Sequence, residues 1–146
     1  MKIAEPGQTN EMILDLARKL IVAWNDHDFD QLLTFYAPDY EGIDVGEAGP
    51  HYGPAGIRQN LARYLEAFPD LHFVTDSPIV QHDRLALAWT ARGTHLGKLM
   101  NIPPTGHRVE VRGVSLLAIK DNKISRGFYI WDVAGLLRSI GLLPEL

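Results

Sequence analysis

The sequence predicts an α+β fold, with helices packed on one face of a strongly curved antiparallel sheet so that a cone is left between them. Three observations predict it. Apolar residues recur at helical spacing through the first half of the chain, the period changes to two from Leu71 onward, and one short helical stretch closes the chain.

The first helix is read from "TNEMILDLARKLIVAWND", where Met12, Ile13, Leu16, Leu20, Ala23 and Trp24 fall on one face and Thr9 or Asn10 caps it. A shorter one follows in "DFDQLLTFYAPD", with Asp28 or Asp30 as cap, Leu32, Leu33, Phe35 and Tyr36 repeating, and Pro38 as the stop. "YEGIDV" reads as a short strand. The loop "EAGPHYGPAGIRQ" leads into a third helix carrying Ile57, Leu61, Tyr64, Leu65 and Phe68. Strands are expected at 71–81, 84–97, 107–120 and 123–131, joined by "HD" and "DN" turns and by the proline- and glycine-rich "GKLMNIPPTGH". In the final helix, "VAGLLRSIG", Asp132 stands as cap and Gly141 just past the end.

Composition narrows the function. The 146 residues are 46% hydrophobic and 22% charged, as in an ordinary folded protein, and the length suits one domain with a real core. Without cysteine there is no disulfide frame, thiolate nucleophile or cysteine zinc site. The start carries no apolar signal-like region and no apolar run is long enough to span a bilayer, so we expect a cytoplasmic protein without membrane contact. The net charge of −4 is concentrated in residues 1–50, with ten acidic and three basic side chains, the wrong sign for a nucleic-acid surface.

Alternation assigns the faces of the strands. Leu85, Leu87, Trp89, Ala91, Gly93 and His95 form the interior row of one strand, Val111, Gly113, Ser115 and Leu117 that of the next, and Gly127, Tyr129 and Trp131 are in register on the last. His95, Ser115, Tyr129 and an aspartate around an apolar cavity would suffice for proton transfer. Asp132 or His95 would be the base and Tyr129 or Ser115 the donor to an enolate oxygen. Each also has a plainer reading: Asp132 as a helix cap, His95 as a polar strand end, Tyr129 as a core tyrosine with a satisfied hydroxyl. Trp24, Tyr36, Tyr64, Phe68, Trp89 and Trp131 are expected as pocket walls. His107 is assigned to the connection. The six histidines show no paired ligand spacing, so no metal is expected, and "GEAGPHYGPAG" lacks the lysine of a phosphate loop.

The stretch from "AFPDLHF" through "LALAWTARGTH", "IPPTGHRVEVRG" and "YIWDVAGLLRSIGLLP", with "GPAGIR" and "WNDHD" before it, resembles the SnoaL-like polyketide cyclases (ester cyclases) of the nuclear-transport-factor-2-like superfamily. The resemblance implies a single SnoaL-like domain over residues 1–146, a cone-shaped α+β barrel around an apolar pocket, and no cofactor. It also implies a hydrophobic oxygenated ligand such as a polyketide and a homodimer through the outer sheet face. Known members close a ring by an intramolecular aldol reaction in which a pocket carboxylate removes a proton beside a carbonyl. They commonly carry "EHWD" on the last strand; here "RGFYIWD" has Gly127 in place of the histidine and Tyr129 in place of the catalytic aspartate. The function expected is therefore a cofactor-independent cyclase, isomerase or lyase, with a non-catalytic small-molecule binding protein as the alternative. The outward row Ala86, Ala88, Thr90, Arg92 and Thr94, beside Arg112, Val114, Leu116 and Ala118, is the expected dimer face.

Overall fold

The computed structural model describes residues 8–145; residues 1–7, where the expectation about export falls, and residue 146 lie outside them. Helix α1 spans Asn10–Asn25, and Thr9 is its cap, accepting from Met12 N. Its buried stripe of Ile13, Leu16, Ala17, Leu20 and Ala23 follows the helical period. The "WNDHD" segment then acts as a clasp. The Asn25 amide exchanges two hydrogen bonds with the backbone of Phe73, at 2.9 and 2.8 Å, and His27 Nε2 meets Leu71 O at 2.7 Å. Asp28 caps the second helix, α2 (Phe29–Leu33), by accepting from Gln31 N.

That helix is shorter than the sequence suggests. Phe35, Tyr36 and Pro38 leave it, and Tyr36 opens strand β1 (Tyr36–Asp44). Tyr36 pairs with Ile124, and the register shifts before Glu41. Pro38 falls, exposed, within that irregular stretch, where a missing N–H costs no ladder bond. A two-residue strand, β2 (His51–Tyr52), leads into α3 (Gly53–Ala67), whose first residue takes φ +65°. The strand expected at 71–81 is two short ones, β3 (His72–Thr75) and β4 (Ile79–Gln81), divided at Pro78 and both antiparallel to β5 (Arg84–Thr94). Strands β6 (Arg108–Lys120) and β7 (Lys123–Trp131) follow, then α4 (Val133–Ser139).

The strand order is β2-β1-β7-β6-β5-β3, with β4 also on β5. The sheet is mixed, because β1 runs parallel to β7, a pairing that the meander pattern did not reveal. The predicted interior rows hold: Leu85, Leu87, Ala91, Val111, Leu117 and His95 are all buried. The core is divided. One cluster joins α1, α2 and β1 to Leu85, Leu87, Leu117 and Ile119; the other joins Ala67, Phe68 and Leu71 to Val109, Val111, Leu136 and Ile140. No helix among the described residues is long and apolar enough to cross a membrane.

Asp132 is exposed and caps α4, with Oδ1 accepting from Gly135 N at 2.8 Å. Asp132→Ala should therefore lower stability by about 1 kcal/mol, the usual cost of a lost cap. Chemical denaturation is the measurement, with an unchanged midpoint as the contrary result.

Candidate functional site

Residues from both core clusters line a cavity of about 120 Å³ between the helices and the sheet. The cavity is the gap that divides the core. Its wall is nearly all apolar, from Leu20 and Ile57 on the helices to Leu87, Val111 and Leu117 on the strands. Of the pocket residues expected from the sequence, Trp24, Tyr36, Tyr64 and Phe68 line it from the helical side and β1, and Trp89, Ser115, Tyr129 and Trp131 from β5, β6 and β7.

Two expected residues are absent from the wall. Asp132 lies on the outer side, in a shallow depression with Arg112 and Thr90, because the strand alternation that turns Trp131 inward turns its successor outward. His95 is fully buried but stands behind Phe68, ring centroids 5.6 Å apart. Its Nδ1 is held by the "IPPTG" turn, facing Thr105 Oγ1 at 2.9 Å and accepting from Thr105 N at 3.3 Å. The inward row continues as predicted; the chain then bends toward α3, where Leu96 N and Gly97 N both donate to Ala67 O. That bend takes His95 away from the cavity. Neither residue lines the cavity.

The carboxylate that does line the cavity is Asp44, at the end of β1. It is 5% exposed. Oδ1 accepts from Trp131 Nε1 and from Gly46 N, each at 2.8 Å; Oδ2 accepts from Tyr64 OH at 2.8 Å and from Asn60 Nδ2 at 3.3 Å. An ionised carboxylate offers about four lone-pair directions, and all four are in use. The longest bond is also the one whose donor is shared, since Asn60 Nδ2 donates to Glu47 Oε1 at 2.9 Å, and Glu47 in turn pairs with Arg63. A ligand seeking Asp44 would displace Asn60 most readily.

Sequence reasoning passed over Asp44. The signal was there: in "YEGIDV" it shares a face with Tyr40 and Gly42, and an aspartate on the inner row of a buried strand needs partners.

Beside Asp44 stands a chain of rings. Tyr129 OH lies 2.7 Å from Tyr40 OH, which lies 3.0 Å from His51 Nε2. Burial, reinforced by the neighbouring Tyr40, pushes the Tyr129 hydroxyl well above the ordinary tyrosine value. Burial likewise raises Tyr36, Tyr40 and Tyr64, the last assisted by the Asp44 charge. These phenols stay neutral, so each can donate a hydrogen bond and none is a base. The indole of Trp89 donates to Ser115 Oγ at 3.0 Å, which leaves the serine hydroxyl's own proton for the cavity.

A curved sheet capped by helices over one apolar, sparsely polar cavity is the architecture of a small-molecule site. The SnoaL-like polyketide cyclase model matches residues 14–140, and the chain belongs to that family. It is 29% identical to the nogalonic acid methyl ester cyclase of Streptomyces nogalater over 84% of this chain and 92% of that protein. It is 28% identical to the aklanonic acid methyl ester cyclase DnrD of Streptomyces peucetius over 88% of this chain and 90% of that one. Among solved structures it superposes on AclR from Streptomyces galilaeus, provisionally described as a hydroxylase, with a TM-score of 0.82 and 29% identity over 95% of this chain and 90% of that one.

Burial lowers the pKa of His51 below its ordinary 6.5, against the opposing pull of Glu47 and Asp44 and with help from Arg63. A depressed histidine favours the fold fully above its unfolded pKa, and that contribution is lost as pH falls below it. Between about pH 7.5 and about pH 5, the wild-type melting temperature should fall more steeply than that of His51→Gln. Parallel curves in thermal denaturation would contradict this.

Proposed function

We propose that this protein is a cofactor-independent cyclase that closes a ring in a hydrophobic, oxygenated small molecule of the polyketide type. One observation carries the reading: a single buried carboxylate and a phenol held neutral stand on paired positions, Asp44 beside Tyr129, in an otherwise apolar cavity. Tyr129 replaces the carboxylate that the family resemblance leads one to expect on the last strand. Asp44 supplies a carboxylate one strand away, across the parallel pairing. In this reading Asp44 takes the acidic proton next to the substrate carbonyl as Asn60 gives way. The Tyr129 hydroxyl then donates to the oxygen on which negative charge develops, and the proton returns to the new alkoxide. Trp89 and Trp131 line the cavity and add apolar ring area for a conjugated substrate.

The compounds in the names of the two relatives are the first substrates to try. Incubated with aklanonic or nogalonic acid methyl ester, the protein should release a product of unchanged mass and altered retention. A product heavier by one oxygen would point to hydroxylation, and tight retention of unaltered ester to a binding protein; either result would sink the cyclase. Asp44→Asn should lower turnover by about 10²- to 10⁴-fold. Tyr129→Phe should lower it by about 10²- to 10³-fold with the fold intact. Full activity in both variants would remove them from the chemistry.

We also propose that the outer sheet face is a homodimer interface. Ile79, Ala86, Leu116 and Phe128 stand in register across four strands, with Val114 and Ile130 in the adjacent row. Ile79, Leu116, Phe128 and Ile130 are between 39% and 69% exposed, a continuous apolar strip that a monomer would leave in water. Sedimentation should give a dimer at micromolar concentration, and Leu116→Arg a monomer. A wild-type monomer at high micromolar concentration would exclude the interface.

A further inference from the structure

The chain of polar groups from His51 to Tyr129 is built into a slot that two glycines keep open. Gly42 and Gly127 are paired across β1 and β7. A Cβ on Gly42 would collide with Tyr40 OH and the His51 ring, and one on Gly127 with Tyr129 OH. The slot has room for the hydroxyl and imidazole groups only because neither strand has a side chain there.

His51 is 6% exposed, and its Nδ1 is buried without a hydrogen-bond partner. A count of protons then fixes the direction of the chain. The neutral imidazole and the two phenols carry three N–H or O–H protons, and the two links of the chain use two of them. If the links run from Tyr129 to Tyr40 to His51 Nε2, the third proton sits on Nδ1, a buried donor with no acceptor. If they run from His51 Nε2 to Tyr40 to Tyr129, Nδ1 keeps only a lone pair and the third proton is on Tyr129, at the cavity wall. Buried donors without partners are rarer in proteins than under-used acceptors.

We propose that His51 is a positioning residue: as the Nε2–H tautomer it orients the hydroxyls of Tyr40 and Tyr129 so that Tyr129 presents its proton to an oxygen of the ligand. Glu47, Asp44 and Arg63 are the charged groups around the imidazole. The two carboxylates do not hydrogen-bond Nδ1, so they do not hold the other tautomer. The inference deepens the proposed function, since it rests on Tyr129 being the donor in the cavity, but it concerns the ground state and is tested without turnover.

Two measurements test it. In the uniformly ¹⁵N-labelled protein near pH 7.5, long-range ¹H–¹⁵N correlation should show His51 protonated at Nε2 and bare at Nδ1. Protonation at Nδ1 alone overturns the proposal, whatever the protein does or does not catalyse. The second probe is carbonyl-labelled acetophenone, a single apolar ring with one acceptor, read by infrared difference spectroscopy. Its carbonyl stretch should move to lower frequency in the wild type, and that shift should vanish in Tyr129→Phe. If acetophenone shows no shift in the wild type while His51 is the Nε2–H tautomer, the orientation stands and the failure lies in the reading of Tyr129 as a donor to cavity ligands. If acetophenone does not enter the cavity, the tautomer decides the proposal by itself.

Discussion

Much of the structure turns on the Asp44 carboxylate. A buried charge is tolerated only where enough donors replace its water, and the four that serve Asp44 come from three different places. Gly46 follows it in the chain, Asn60 and Tyr64 project from α3, and Trp131 ends β7. One side chain therefore fixes the distance between helix and sheet at this end of the molecule. The same bonds hold Tyr64 and Trp131 as cavity walls, with ring centroids 6.0 Å apart and planes nearly perpendicular. Local stability and the shape of the site are, at this point, the same set of contacts.

The cavity exists because the hydrophobic core does not close into one body. Helix α1 and the start of β1 gather one cluster, and the end of α3 gathers the other with α4. The Asn25 and His27 clasp to β3 keeps the α1 end in place without filling the space between the clusters. Large rings bound that space: Trp24 packs edge-on against Phe73, and Phe73 edge-on against Trp89. A wall of interlocked rings resists collapse, which is how an apolar gap persists beside a packed core.

Several of the cavity's polar groups share one strip of the sheet. Asp44 and the Tyr40 to Tyr129 pair all derive from β1 and β7, the two strands that run parallel. Parallel pairing brings Asp44 beside Tyr129 and Gly42 beside Gly127, so the carboxylate, the phenol and the open slot share one strip of sheet. Ser115, already engaged by Trp89, stands beside Tyr129 on β6, and Asn60 and Tyr64 face the cavity from α3. In the proposed reading the oxygen atoms of the ligand face β1 and β7, and the apolar wall holds the remainder by buried area.

Local patterns were enough for most of the architecture. Period and caps located α1 and α4, period alone located α3 and the three long strands, and alternation named the inward rows, because a half-buried strand must alternate. Eight of the ten side chains expected at the site line the cavity, since large rings on inward rows have nowhere else to go. Pairing decided the rest. Nothing local distinguishes a Tyr36 that continues a helix from one that opens a strand beside Ile124, and the parallel partner that makes the difference lies almost ninety residues away. Asp132 kept its expected place as a cap and faces outward, whereas His95, expected within a strand over 84–97, lies just past the end of β5 at Thr94, in a bend that docks on α3. Asp44 and His51, read locally as a strand residue and a loop residue, became the polar heart of the site only when β1 met β7 and α3 closed over both. The sequence by itself determined the elements and their inward faces, which are matters of periodicity. Which inward residues meet was left to tertiary structure, because that depends on strand order and register, and no periodicity within one strand encodes its partner.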